Sequence, residues 1–243
     1  MEDKGLAVTA VSFNALISVD RNKGELNVAF HFRDEMVRKG IEPTTTTYNL
    51  LVLALFMGGR DVEANALIKD MGEKGMVPDA ITYNILINGY SKDVNVKKAF
   101  DLFEEMSRKG VKPNKVTYTS LINALCKRNK VAEADKMFRD MVNNKGFPPD
   151  LVMYNVMIDG HSSGGNFERT HELLKEMVKK KIHPDDVTYN LLMRGLCLLG
   201  KAKEAHALLD EMRRRGIKPD LVSYNTIISG YTMKGEMKDT FYV

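Results

Sequence analysis

Tryptophan is absent from this 243-residue sequence, cysteine occurs only twice, and the longest apolar run, residues 50–57, stops at eight. A membrane-spanning helix needs about 20 apolar residues, so no membrane role is expected, and no signal or transit segment is visible. Two cysteines are too few for a zinc cluster. The five histidines (His31, His161, His171, His183, His206) show no metal-ligand spacing, and His171-Glu172 lacks a second histidine four residues on. Neither a phosphate-cradling glycine loop nor a nucleophile elbow is present, and Gly164-Gly165 reads as part of a hairpin loop. No catalytic residue, metal ligand or cofactor is therefore expected. An excess of one charge sign is also missing: 36 Lys+Arg against 32 Asp+Glu leave a net +4. Such a balance permits an anionic partner without requiring one.

Proline is scarce as well, seven in all, but six of them keep time: Pro43, Pro78, Pro113, Pro149, Pro184 and Pro219, at steps of 35, 35, 36, 35 and 35. An aromatic holds the same beat at Phe13, Tyr48, Tyr83, Tyr118, Tyr154, Tyr189 and Tyr224. So does a methionine at Met36, Met71, Met106, Met141, Met177 and Met212. Three residue types in one register mark a stack of identical supersecondary units. The expected fold is all-α, a right-handed α-solenoid superhelix of antiparallel helix-turn-helix repeats, without a single central core. Full repeats run 10–44, 45–79, 80–114, 115–150, 151–185 and 186–220, between the end of one repeat at 1–9 and a partial repeat at 221–243. The chain opens and closes in mid-repeat, since residues 1–5 align with 71–75 and Phe241 with Phe100. It is therefore expected to be a fragment of a longer array or the product of a truncated reading frame.

Within the unit 80–114, Ile81, Tyr83, Leu86, Ile87 and Tyr90 form one apolar helical face. Ser91-Lys92-Asp93 breaks the pattern, Asn95 is a plausible N-cap, and Val96, Ala99, Phe100, Phe103 and Met106 make a second helix of about a dozen residues. Lys109-Gly110 supplies a cationic last turn and a C-cap glycine, and Pro113 prevents continuation. A small residue recurs on the second helix at Ala29, Ala64, Ala99, Ala134 and Ala205, with Thr170 and Thr240 as exceptions. The periodic methionines are core filler. Cys126 and Cys197 share a phase two repeats apart, too distant for a disulfide, and are expected to be free buried thiols. The fourth repeat carries one extra residue between Met141 and Gly146. In the fifth, Ser162-Ser163-Gly164-Gly165 replaces the hairpin loop and Lys181 replaces the C-cap glycine, which makes it the expected soft unit.

Three series are not explained by packing. A polar residue follows each periodic aromatic: Asn14, Asn49, Asn84, Thr119, Asn155, Asn190 and Asn225. Asparagine inside a helix costs roughly 0.5–0.7 kcal/mol against alanine, so it needs a reason; a ladder of hydrogen-bonded amides between repeats is the structural alternative. A second polar series precedes each first helix: Thr44, Asp79, Asn114, Asp150, Asp185 and Asp220, all of which are also good N-caps. Between them stands a small apolar residue: Val11, Ile81, Val116, Val152, Val187 and Val222, with Thr46 departing. One donor–acceptor pair and one apolar wedge per repeat is the chemistry of one-base-per-repeat RNA readout.

The string Ile81-Thr82-Tyr83-Asn84-Ile85-Leu86-Ile87-Asn88-Gly89-Tyr90, ending Lys109-Gly110-Val111-Lys112-Pro113-Asn114, resembles a pentatricopeptide repeat. So does Val187-Thr188-Tyr189-Asn190 through Gly216-Ile217-Lys218-Pro219-Asp220, and the resemblance covers essentially the whole chain in the plain, uniformly spaced class. It implies sequence-selective binding of single-stranded RNA, with amino-terminal repeats toward the 5′ end. The first-helix and linker residues of a repeat would select a base and the small apolar residue would sandwich it. Asn49 with Asp79 would read U, Asn84 with Asn114 C or U, Thr119 with Asp150 G, and Asn155 with Asp185 and Asn190 with Asp220 U each. The implied core is 5′-U-(C/U)-G-U-U-3′; Asn14 with Thr44 implies a weak pyrimidine preference, and Asn225 has no linker partner within the sequence. Lys92 and Lys127 occupy a place that the family often uses for phosphate, whereas Met57, Ser163, Leu198 and Met233 do not, so phosphate attraction should be modest. The resemblance further implies a mitochondrial or chloroplast role in RNA stabilisation, processing or translation, alongside organellar RNA-processing proteins. The alternative is a protein-interaction scaffold similar to tetratricopeptide repeat proteins.

Overall fold

A computed structural model describes residues 9–23, 26–92 and 95–233. Among them are thirteen α-helices and no strand: α1 (Ala10–Lys23), α2 (Leu26–Arg38), α3 (Thr45–Met57), α4 (Asp61–Glu73), α5 (Ala80–Lys92), α6 (Val96–Arg108), α7 (Lys115–Lys127), α8 (Val131–Asn143), α9 (Leu151–Ser163), α10 (Phe167–Lys179), α11 (Asp186–Leu198), α12 (Ala202–Arg214) and α13 (Leu221–Met233). The fold is an all-α repeat. Readings that fall on residues 1–5, Asp93, Thr240 and Phe241 lie outside the described residues. The chain divides into two compact units, 1–120 and 121–243.

In the first unit, α1, α3 and α5 pack in succession, and α2, α4 and α6 each fold back on the helix before them. Backbone geometry follows the glycine and proline punctuation. Gly40, Gly75 and Gly110 end the second helices at φ of 71°, 74° and 75°, the left-handed region open to a residue without Cβ. The Val111 N–H then reaches back to the Met106 carbonyl at 3.0 Å and the Gly110 N–H to Ser107 at 3.1 Å, satisfying carbonyls the helix leaves unpaired. Asn95 caps α6 by accepting from the Lys98 N–H. Successive first helices approach closely, because a Cβ at Gly89 would stand 2.6 Å from the Phe56 ring. Met36, Met71 and Met106 are fully buried.

In the second unit, α9, α11 and α13 pack in the same succession, with α10 and α12 as their hairpin partners. Met141, Met177 and Met212 are again fully buried. Both cysteines are free and buried, and burial pushes the Cys126 thiol up to about 12. The linker before α9 has seven residues, 144–150, where the one before α11, 180–185, has six. One sequence reading needs correction: Ser162 and Ser163 do not form the hairpin loop but complete α9. Ser162 is buried against Thr170, with the two hydroxyls 3.4 Å apart. The turn is carried by Gly164 and Gly165, the latter at φ 76°.

Lys181 takes the left-handed C-cap position at φ 59°, where a Cβ meets the backbone unfavourably at roughly 1–2 kcal/mol. Lys181→Gly is therefore expected to stabilise the chain by about 1 kcal/mol, read as a higher urea midpoint at unchanged slope. An unchanged midpoint would show that this linker relaxes its own strain.

Candidate nucleic-acid interface

Each linker residue does cap the helix after it. The side chains of Thr44, Asp79, Asn114, Asp150, Asp185 and Asp220 accept the N–H of the third helical residue at 3.4, 2.8, 3.2, 2.9, 2.8 and 2.9 Å. In the aspartates and Asn114 every one of these bonds is made to Oδ1. Capping therefore engages one edge of the group.

The first-helix asparagines come to the same place. Asn49 Nδ2 donates to Asp79 Oδ1 at 3.4 Å and Asn84 Nδ2 to Asn114 Oδ1 at 3.2 Å in the first unit. In the second, Asn155 Nδ2 donates to Asp185 at 3.4 Å and Asn190 Nδ2 to Asp220 at 3.3 Å. The two polar series are thus joined into couples, each between the first helix of a repeat and the linker that ends it. These amides bond to the following cap rather than to one another. Thr119 differs: its hydroxyl donates to the Lys115 carbonyl of its own helix at 2.8 Å. Asn14 meets the next repeat through Thr47, which also caps against Thr44, and Asn225 is exposed at its helix surface. Asn49 is the most enclosed of the series at 5% exposure.

The small apolar series lies open to solvent. Val11, Ile81, Val116, Val152, Val187 and Val222 are all between 48% and 76% exposed, and Thr46 is exposed too. Branched aliphatics at one phase of six of the seven described first helices, on the helix surface and close in sequence to the polar couples, contribute little to the core. Lys127 is exposed at the end of α7; the side chain of Lys92, at the end of α5, lies outside the described residues.

Burial works against the charge of Asp79 and Asp185, yet both carboxyls sit below their usual 3.8, because the Thr82 and Thr188 N–H and hydroxyl groups and the Asn49 and Asn155 amides bond to them. Asp220 is lowered chiefly by the Ser223 N–H and hydroxyl. A lowered folded value means the stabilisation is complete above the ordinary value and is lost as pH falls through the folded one. At neutral pH these linker groups are acceptors only.

The sequence did not disclose what anchors the periodic tyrosines. Tyr48, Tyr83, Tyr154 and Tyr189 donate to Asp70, Glu105, Glu176 and Glu211 on the paired second helix at 2.6, 3.1, 2.9 and 3.2 Å. Each acid also meets a cation four residues on, Lys74, Lys109, Lys180 and Arg215, at 3.0, 2.8, 3.1 and 2.8 Å. These four tyrosines are thus structural and brace their hairpins. The signal available was an acid at one fixed spacing after each of these tyrosines, hidden among ordinary surface charges.

Helical hairpins in tandem, most of them carrying the same polar couple and an exposed aliphatic, define an α-helical repeat protein. The PPR repeat family matches residues 8–57, 54–92, 78–127, 116–152, 149–198 and 187–233, and the chain belongs to that family. Among solved structures it is similar to the pentatricopeptide repeat protein PPR10 from maize (TM-score 0.68, 24% identity), covering 99% of this chain and 39% of that one. The same protein in complex with an 18-nt psaJ RNA element aligns at TM-score 0.71 over 42% of its chain. The PPR domain of Arabidopsis thaliana protein-only RNase P 1, in complex with tRNA, aligns at TM-score 0.56 and 20% identity over 74% of this chain and 95% of its own. A curated relative, the Arabidopsis thaliana small ribosomal subunit protein mL103 (rPPR7), is 39% identical over 54 residues, 22% of this chain and 13% of its own length. The chain thus spans a minor part of that relative and of PPR10.

Proposed function

We propose that this chain binds single-stranded RNA and selects one base per repeat, with the core 5′-U-(C/U)-G-U-U-3′. The observation that carries the reading is the exposed aliphatic beside each polar couple. A flat base can rest against the aliphatic while its edge meets the couple. Asn14, Thr44, Asn49, Asp79, Asn84, Asn114, Thr119, Asp150, Asn155, Asp185, Asn190, Asp220 and Asn225 would select bases; Val11, Ile81, Val116, Val152, Val187 and Val222 would sandwich them. Lys92 and Lys127 would meet phosphate. Membership of the family and the RNA-bound relatives support this, and the ribosomal relative supports a place in mitochondrial or chloroplast RNA stabilisation, processing or translation. In this reading these repeats act by binding.

Single-stranded RNA carrying the core should bind more tightly than its complement or the same sequence in a duplex, because base edges are exposed only when unpaired. Direct titration of the three RNAs measures this, and equal affinity for strand and duplex would sink base reading. The salt dependence should be shallow, about −0.7 in log–log slope per phosphate neutralised. The scaffold reading has one observation in its favour: a groove of about 620 Å³ between α10, α11 and α12, floored by Phe167, Leu174, Leu192, Leu196 and Leu208. A scaffold would show no preference among single strands.

A further inference from the structure

Four of the reading amides, those of Asn14, Asn84, Asn155 and Asn190, are held on the far side by a hydroxyl that base selection itself does not use. Thr47 Oγ1 donates to Asn14 Oδ1 at 2.7 Å, and Thr117 Oγ1 to Asn84 Oδ1 at 2.6 Å. Thr188 Oγ1 donates to Asn155 Oδ1 at 2.7 Å and Ser223 Oγ to Asn190 Oδ1 at 2.7 Å. The hydroxyl always comes from the third residue of the next first helix, 33 positions after its asparagine. All four residues are fully buried, so water does not substitute for them. Each hydroxyl is held in turn, accepting the N–H of the linker residue at 3.0, 3.0, 3.2 and 3.2 Å.

This matters because an asparagine amide flipped end for end fills the same space with donor and acceptor exchanged. Base discrimination of the proposed kind requires one orientation. The one hydroxyl proton has a second acceptor within reach, the linker Oδ1 at 3.2, 2.7 and 2.8 Å from Thr117, Thr188 and Ser223. When it goes to the asparagine it fixes Oδ1, Nδ2 faces the linker oxygen and its second N–H remains for a base. In the flipped orientation, Oδ1 of Asn155 or Asn190 would oppose an ionised carboxylate oxygen with no proton between them, and Oδ1 of Asn84 would oppose the Asn114 carbonyl oxygen. At these three positions the hydroxyl and the linker oxygen favour the same state from opposite ends of the amide.

The sequence register adds an independent observation. Thr119 is the one first-helix position of the series that holds threonine, and the next first helix carries Met153 as its third residue, the one third position without a hydroxyl. Where there is no amide to orient, the orienting group is gone. At Asn49 the bond is not made: Thr82 is in place, but its hydroxyl donates to Asp79 Oδ1 at 2.9 Å, and Asn49 Oδ1 is buried without a partner.

We propose that Thr47, Thr117, Thr188 and Ser223 are positioning residues for base selection, each fixing the amide orientation of the asparagine one repeat before it. The proposal rests on the RNA-reading function above. It predicts that losing one hydroxyl blurs one nucleotide and no other, an effect that packing alone does not produce.

The test uses the full chain and RNAs that differ only in U or C at the nucleotide assigned to Asn155. Thr188→Val keeps the shape and removes the hydroxyl; the U-over-C affinity ratio at that nucleotide should fall about threefold to tenfold, the range of one hydrogen bond. Thr188→Ser should keep the ratio, as Ser223 stands in the same place naturally. Thr188→Val also strips a partner from the Asp185 N–H, as Ser223→Ala does from the Asp220 N–H; Ser223→Ala is read in parallel at the nucleotide assigned to Asn190, and circular dichroism confirms that both variants fold. A merely structural hydroxyl would weaken all RNAs equally and leave both ratios intact, which would overturn the proposal. Asn155→Ala separates the two levels. If it abolishes the ratio while the hydroxyl variants do not, orientation fails and base reading stands; if it too changes nothing, base reading fails and orientation with it.

Discussion

Met106→Ala is expected to lower the free energy of unfolding by about 2–5 kcal/mol and to leave base preference unchanged. Met106 has no solvent exposure, and neither do Met36, Met71, Met141, Met177 and Met212. A long unbranched thioether fills the irregular space between the two helices of a hairpin, and truncation at Cβ empties part of a close-packed site. Met106 also stands at the helix end whose carbonyl is closed by the Val111 N–H at 3.0 Å, so the surrounding backbone is pinned and collapses little into the void. In a repeat array the loss is felt by the unit and its neighbours. Urea denaturation of the whole chain measures it, and competition binding at low denaturant measures base preference. A folded variant with altered base preference would place the methionine series in the interface instead of the core.

The periodic residues differ in how much they disclosed. Gly110, Pro113 and Asn95 act through the backbone of their own neighbourhood, and local conformational preference is what a sequence displays; the turns and caps they predict are present. The methionines announce burial by phase alone. Tyr83 was legible as an apolar face residue, but its bond to Glu105 joins different helices of a hairpin, and nothing local marks that glutamate among the other charges of α6. Likewise His161, which lacked any metal spacing, is buried with its Nε2 3.1 Å from Asp135 on α8. Partners so far apart along the chain stay hidden until the helices are packed. At the interface, the residue types and their phase could be read from the sequence. The joining of Asn84 to Asn114, and the hydroxyl of Thr117 behind them, could not, since these bonds link residues 30 and 33 positions apart, the second of them across a repeat boundary.

Asn114→Asp is the substitution with the largest expected effect on recognition. It should turn a repeat that accepts C or U into one that accepts U alone. Asn114 Oδ1 takes the Thr117 N–H at 3.2 Å and the Asn84 amide at 3.2 Å, which leaves Nδ2 on the opposite edge as a donor. That NH₂ can donate to the ring N3 acceptor of cytosine or to a uracil carbonyl. Aspartate at the same place offers only acceptors, and the lowered carboxyls of Asp79 and Asp185 show that such a group is ionised at neutral pH. Uracil still satisfies it through N3–H; cytosine presents a lone pair where a proton is required. A good paired contact is worth about 1–3 kcal/mol of discrimination, so affinity for C at that nucleotide should fall roughly tenfold to hundredfold, while U is retained. The helix cap survives, because aspartate accepts the same N–H in the neighbouring repeat, Thr82 to Asp79 at 2.8 Å, and the thermal midpoint should therefore move little. Competition between two RNAs differing only at that nucleotide reads the result, with the flanking nucleotides as internal controls because each repeat acts nearly independently. If C and U still bind equally well, the linker side chains serve the helices alone, since a cap is indifferent to which base lies beyond it.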